Sequence, residues 1–149
     1  MNLSQATRSC ACGLFAAIIL SGCAEKKQSS EMSFKDCIEI VPQKVRGLSV
    51  QGPRTESNVI KDMVPFNCKL NEWFATYASE NSITKASVDL SITVDHIGEI
   101  LTASIEKSTV DDPAFSKNLL KMAYSIEFSY WGEEKEGETI IRYPVRLSL

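Results

Sequence analysis

Histidine is almost missing from this chain: His96 is the only one in 149 residues. A metal centre built on paired imidazoles, such as an HExxH helix, is therefore excluded. Neither a GxGxxG nor a GxxxxGK[ST] loop occurs, which removes the common backbone cradles for phosphate. With only 7 glycines and 5 prolines, the chain is neither collagen-like nor of low complexity. Basic residues are outnumbered, 16 against 19 acidic, for a net charge of −3. That balance leaves no basic face to neutralise a phosphate backbone, so no nucleic-acid partner is expected. The spaced oxygen ligands of a calcium loop are also missing, and Glu133-Glu134-Lys135-Glu136 reads as a solvated charge run. His96 follows Asp95 where a turn is expected, and turn polarity accounts for both without a catalytic set. No catalytic residue, no cofactor and no metal is expected, and the chain is not expected to be an enzyme. What remains is ordinary globular composition, 44% hydrophobic and 23% charged, enough for one domain with a real core.

The first 22 residues are set apart. Residues 1–9 hold one basic side chain, Arg8, and residues 10–22 (CACGLFAAIILSG) are uncharged and mostly apolar. As a helix that run would reach about 20 Å, short of the roughly 30 Å hydrocarbon core. It reads as the h-region of a signal peptide. The run ends in Leu20-Ser21-Gly22-Cys23, which resembles the bacterial lipobox: a branched apolar residue, two small residues, then Cys. The resemblance implies cleavage before Cys23 and lipid attachment, palmitate included, to its thiol, with several acyl chains giving a stable membrane anchor. Ala24 stands where an Asp would favour inner-membrane retention in enteric-type bacteria, so the resemblance implies the periplasmic face of the outer membrane. Cleavage removes Arg8, leaving 15 basic and 19 acidic residues, net −4. Residues 23–33 then read as a lipidated, polar tether, its ten residues after Cys23 spanning about 15–20 Å by random-coil scaling.

Five cysteines occur. Cys10 and Cys12 leave with the signal peptide and Cys23 takes the lipid. Cys37 and Cys68 remain, an even pair in an oxidising compartment. The favoured expectation is a disulfide, closing a loop of about 32 residues and contributing roughly 3–4 kcal/mol in the chain-entropy model. Two buried thiols acting as small hydrophobes are the alternative.

Residues 34–57 hold short β-prone runs, Ile38-Glu39-Ile40-Val41 and residues 45–50, broken by Pro42 and Gly47. They predict an irregular or edge-strand extension. Residues 55–80 predict a helix in two pieces, capped by Thr55 or Ser57 and interrupted at Pro65. Leu70, Trp73, Phe74 and Tyr77 share one face, more economically explained as core than as a binding stripe. Residues 86–95 alternate, placing Ala86, Val88, Leu90, Ile92 and Val94 on a buried face. Asp95-His96-Ile97-Gly98 predicts a hairpin turn, and Leu101, Ala103 and Ile105 the inner face of the return strand. Asp112-Pro113 predicts a helix start, with Phe115, Leu119, Met122 and Ile126 inward and an end near Phe128. Residues 139–149 alternate again, and Pro144, lacking a donor, predicts that this last strand is an edge. The fold class is α+β: a three-stranded antiparallel or mixed sheet with helices packed on one face, in the order α-β-β-α-β.

Taken in order, these stretches resemble the TonB C-terminal-domain superfamily, and within it the AgmX/PglI-type domains. The resemblance spans residues 58–149. It rests on Val59-Ile60 to Val64 and Cys68 before the aromatic helix, the strand from Val88 to Val94, and the D-x-x-G-x-[VI] hairpin from Asp95 to Ile100. Ser108-Thr109, Asp112-Pro113-Ala114-Phe115, Phe128 and Tyr143-Pro144-Val145 complete it. AgmX-type domains often carry a second Cys in the helix after the hairpin. Here that stretch reads Ser116-Lys117-Asn118-Leu119, a departure for which the resemblance offers Cys37 as a candidate substitute partner of Cys68. The spanning helix and Pro-rich spacer of a true TonB protein are not seen, so the resemblance is of fold and not of energy transduction.

The resemblance implies a non-catalytic protein-interaction module, facing the periplasm and binding an envelope protein through the edge of its last strand. Arg142, Pro144 and Arg146 are the candidate partner-binding residues, with Arg142 and Arg146 equally readable as ordinary surface charges. The alternative is an envelope-structural lipoprotein that contacts peptidoglycan or packs in a trans-envelope complex. Tyr130-Trp131 could stack on sugar rings for it, or close the core below the last helix.

Overall fold

The computed structural model describes residues 34–132 and 137–149. The expected signal peptide, Cys23 and the tether lie outside the described residues, as does the charge run at 133–136. Among the described residues, three helices and four strands follow in the order α1 (Phe34–Ile38), β1 (Ser49–Gln51), α2 (Glu56–Asn81), β2 (Lys85–Val94), β3 (Ile100–Ser108), α3 (Pro113–Ala123) and β4 (Thr139–Ser148). The sheet is antiparallel throughout, in the order β1-β4-β2-β3. It has four strands rather than the expected three, because residues 49–51 pair with Ile140 to Arg142 of β4. The run Ile38-Glu39-Ile40-Val41 is not a strand. It ends α1 and turns, with Ile40 N–H donating to Cys37 O.

One face of the sheet is apolar and covered by α2 and α3. Ala86, Val88, Leu90, Ile92 and Val94 of β2 interleave with Ile141, Tyr143, Val145 and Leu147 of β4, all buried. The two alternations coincide because every paired residue of β2 and β4 shares a face, as the two-residue period of a strand demands. In β3 the pairing jumps from Thr93↔Thr102 to Val94↔Ile100, so Leu101 is an extra, bulged residue. Ile100, Ala103 and Ile105 face the core, and Leu101, expected inward, is exposed.

α2 is one continuous helix of 26 residues with Pro65 inside it, not two pieces. Thr55 is its N-cap, accepting from Asn58 N–H. Proline removes one helical donor and costs about 3 kcal/mol in a helix interior. Here it sits on the exposed side, where water can reach the carbonyl it leaves unpaired. Val59, Met63, Phe66, Leu70, Phe74 and Tyr77 bury on one stripe running through it. Burying an apolar side chain is worth about 1.5–3 kcal/mol, so packing on both sides of Pro65 outweighs the break. Trp73 stacks on Tyr77 and meets Phe115 of α3, with centroids 5.2 and 5.4 Å apart, so the aromatic stripe is core. α3 starts as expected on Asp112 and Pro113 but ends at Ala123, short of Phe128. Past its end, Ile126 and Phe128 still bury into the core.

α1 buries none of its residues. It is tied to α2 by a disulfide between Cys37 and Cys68, with Cα atoms 5.9 Å apart.

The β2–β3 turn depends on Gly98. Its φ is +97°, and a Cβ there would lie 2.1 Å from Phe128 O. Backbone strain and collision act together, so Gly98→Ala is expected to cost at least about 2 kcal/mol. Urea unfolding followed by circular dichroism measures it; a midpoint equal to the wild type would show that the turn and the 128 segment separate freely.

Candidate functional site

The alternation of a strand decides where Arg142, Pro144 and Arg146 lie. All three project from the sheet face opposite the helices, since their odd-numbered neighbours are the buried ones. They are not on an edge strand: β4 lies between β1 and β2. Arg142 Nε is 3.3 Å from Glu106 Oε1, and Arg146 Nη2 is 3.0 Å from Asp89 Oδ1. Arg146 Nη1 also donates to Val88 O and Val145 O. Both guanidinium groups are more than half exposed, where such pairs are worth about 0–1 kcal/mol. They remain cheap to redirect.

The proline in an inner strand has a geometric reason. Leu149 N–H donates to Thr84 O, extending the β2–β4 ladder. Antiparallel strands alternate the side to which backbone groups point. The backbone groups of Tyr143, Val145 and Leu147 therefore face β2, and those of Pro144, Arg146 and Ser148 face away. β1 stops at Ser49 opposite Arg142, so it asks no donor of Pro144. Instead the chain at Gly47 passes beside the ring, a Cβ there lying 3.5 Å from Pro144 Cγ. Beyond it, the outward backbone groups of Arg146 and Ser148 have no neighbouring strand among the described residues. The other edge, β3, is longer but interrupted: Tyr124 Oη accepts from Ala103 N–H at 3.1 Å, and two bulges break the β2–β3 register. Side-chain caps and bulges blunt an edge against pairing.

At one end of the sheet sits Arg54, which sequence reasoning missed. Its side chain is 1% exposed. Nη1 donates to Ser129 O at 2.5 Å and Nη2 to Asp95 O at 2.9 Å. The guanidinium lies 5.6 Å over the Phe128 ring and 3.9 Å from Asp62 Oδ2. Asp62 itself accepts from Ser129 N–H and Oγ. Burial pulls the Arg54 guanidinium below its ordinary pKa, and Asp62 and Asp95 offset part of that. One side chain thus ties α2, the β2–β3 turn and the 128–131 segment together. The only hint in sequence was a charged residue between Pro53 and the cap Thr55, a pattern common to exposed helix starts.

Asp95 spends its carboxylate inside the turn, accepting from Ile97 N–H and Glu99 N–H through Oδ1. His96 meets the Tyr130 ring edge-on, centroids 6.5 Å apart. Tyr130 is exposed and Trp131 half-buried, and with Pro53 and Gly132 they line a shallow recess. Tyr130 therefore does not close the core below α3. Among the described residues, no group of three or more His, Cys, Asp or Glu side chains is placed to hold a metal ion.

A second polar pair joins α2 to the α3 start. Tyr77 Oη donates to Asp112 Oδ2 at 2.5 Å, and Asp112 Oδ1 accepts from Ala114 N–H. That hydroxyl holds the Asp112 carboxyl below the usual carboxylate range, helped by Ala114 N–H. The same bond, with some burial, pushes Tyr77 up to about 12.

Compared with protein-family models, curated proteins and solved structures, the chain matches none.

Two expectations follow. Arg54→Met is expected to lower stability by about 2–4 kcal/mol, because the carbonyls of Asp95 and Ser129 and the Asp62 carboxylate lose their buried partner. Denaturant titration reads the loss, and a change under about 0.5 kcal/mol would contradict the pinning role. Tyr77 has a raised folded pKa, so its contribution is complete below about pH 10 and is lost as pH rises through about 12. Thermal melts should show that alkaline step in the wild type and a smaller one in Tyr77→Phe. Asp112 has the opposite sign: its contribution is present above about pH 4 and fades as pH falls toward its lowered folded pKa.

Proposed function

We propose that this chain is a non-catalytic, lipid-anchored protein-interaction module of the bacterial cell envelope, facing the periplasm from the outer membrane. The observation that carries the reading is the outer edge of β4: where β1 stops, the backbone groups of Arg146 and Ser148 face away from β2 with no neighbouring strand among the described residues. An extended segment of an envelope protein adds there as a continuation of β1, antiparallel to β4. Pro144, which has no donor, ends the pairing on one side and so sets its register. Arg142 and Arg146 stand on the adjoining open face, where a partner's acidic side chains compete with Glu106 and Asp89. The four-stranded α+β domain is consistent with a TonB C-terminal-like, AgmX/PglI-type interaction fold.

Export and anchoring are supported by two features far apart in the chain. Leu20-Ser21-Gly22-Cys23 has the lipobox pattern after an uncharged run. The Cys37–Cys68 bridge suits an oxidising compartment.

A second reading has its own observation, the exposed Tyr130 beside Trp131 over a shallow recess. Aromatic faces of this kind stack on sugar rings, which would make peptidoglycan the ligand.

A photo-crosslinking residue at Ser148 in living cells separates the two. One discrete protein adduct is expected, abolished by Arg146→Pro, which removes an outward donor, and unaffected by Tyr130→Ala. Glycan fragments that depend on Tyr130 would overturn the strand-edge reading in favour of the second. Labelling with a palmitate analogue, lost in Cys23→Ser, tests the anchor in the same cells.

A further inference from the structure

The apolar residues that the core leaves outside are not evenly spread. Among the described residues, Ile97, Leu101, Tyr124, Tyr130, Ile140 and Leu149 are scattered along the sequence, Ile97 and Tyr124 meeting at one shallow recess. Phe34, Ile38, Ile40 and Val41 are different: four large apolar side chains within eight consecutive residues, exposed by 40%, 39%, 58% and 46%. Single exposed hydrophobics need no explanation, whereas a concentrated run does. Phe34 and Ile38 lie one helical turn apart and share a face of α1. The turn in which Ile40 N–H bonds back to Cys37 O brings the next two close behind. No residue of this segment is fully buried. A covalent bridge to Cys68 ties it to α2.

We propose that residues 34–41 are a membrane-contact foot, which lays these four side chains into the interface of the phospholipid layer that carries the lipid anchor. The inference rests on the reading that Cys23 is acylated. Ten residues separate Cys23 from Phe34, and even fully extended they reach about 35 Å. The segment is therefore the first described part of the domain that a lipid-bound Cys23 brings to the surface. Its charges fit an apolar contact rather than an electrostatic one. Lys35, Lys44 and Arg46 are nearly balanced by Asp36 and Glu39, so attraction to anionic headgroups is weak and insertion is expected to survive salt. The Cys37–Cys68 bridge then fixes the domain's orientation, because it couples the foot to α2 and hence to the sheet.

The test uses the mature chain purified from cells with its lipid, reconstituted on phosphatidylethanolamine/phosphatidylglycerol vesicles. An environment-sensitive fluorophore is attached at Ile40→Cys or, as a control on β3, at Thr102→Cys. The mass of the N-terminal peptide is read in parallel. The expected result is a blue shift and protection from an aqueous quencher at position 40, unchanged in high salt, with neither at 102. No shift at position 40 in a chain whose Cys23 is acylated overturns the foot and leaves the anchor reading intact. An unmodified Cys23 in the cell-derived chain overturns the anchor reading and the foot with it. The same shift without vesicles, accompanied by a dimer in sedimentation, overturns the foot in favour of a second copy of the chain. A variant with Phe34→Ser, Ile38→Ser, Ile40→Ser and Val41→Ser, in a chain expressed from residue 23 with Cys23→Ser so that it carries neither signal peptide nor lipid, should fold normally, since none of the four is fully buried. Its vesicle affinity should fall about tenfold relative to Cys23→Ser alone, and an unchanged affinity would also overturn the proposal.

Discussion

The structure depends on one seam, the pairing of β2 with β4 over ten residues from Lys85↔Ser148 to Val94↔Thr139. A register slip of one residue would turn Val88, Leu90 and Ile92 to the wet face and bring Asp89 and Ser91 into the core. The two helices have a surface to bury against only because this register aligns both strands' apolar positions. α2 then supplies one continuous stripe from Val59 to Ala78, and α3 adds Phe115, Leu119 and Ala123. With that layer in place, polar pins become affordable at its rim. Arg54 is tolerated in a nearly waterless position because two carbonyls, a carboxylate and an aromatic face surround it.

The same seam shapes the exposed surfaces. β4 is flanked by β1 only at residues 140–142, and beyond them no strand pairs with its outer side among the described residues, although the chain at Gly47 passes beside Pro144. The domain thus divides its edges by chemistry. On β3 a tyrosine hydroxyl and two bulges discourage pairing. On β4 the edge past Pro144 carries neither device among the described residues. At the N-terminal end the logic differs again. Residues 34–41 carry a covalent tie to α2 and no fully buried residue, and four of their apolar side chains are substantially exposed. In the proposed arrangement one end of the domain meets lipid and the outer edge of β4 meets a protein partner.

Much of the core was legible residue by residue. The two-residue alternation in 86–94 and 139–147 reports a half-buried strand directly, because side chains must alternate across a pleat. Asp112-Pro113 announced a helix start through a capping oxygen and a fixed φ. The misreadings share a cause. Pro65 and Pro144 each remove one donor, and the cost of that depends on what faces the missing hydrogen. In α2 it is the solvent side of a helix packed on both flanks. In β4 it is the stretch where the neighbouring strand has already ended. Leu101 was assigned inward by unbroken alternation, which a single bulge shifts. Arg54 had no signal beyond its place at a helix start, since the carbonyls it binds come from residues 41 and 75 positions away.

By itself the sequence determined the local chemistry: the α+β class, the alternating faces, the caps, the lipobox-like Leu20-Ser21-Gly22-Cys23 and an even pair of cysteines. These are set by neighbours within a few residues, where backbone geometry leaves little choice. Only the tertiary structure decided that β1 joins the sheet, that β4 pairs on its outer side at Arg142 but with no described strand at Ser148, that Arg54 is buried, and that residues 34–41 are largely exposed. Each of these depends on which distant backbone or side chain arrives opposite a given group. Such meetings are fixed by the closure of the whole core and not by any local pattern.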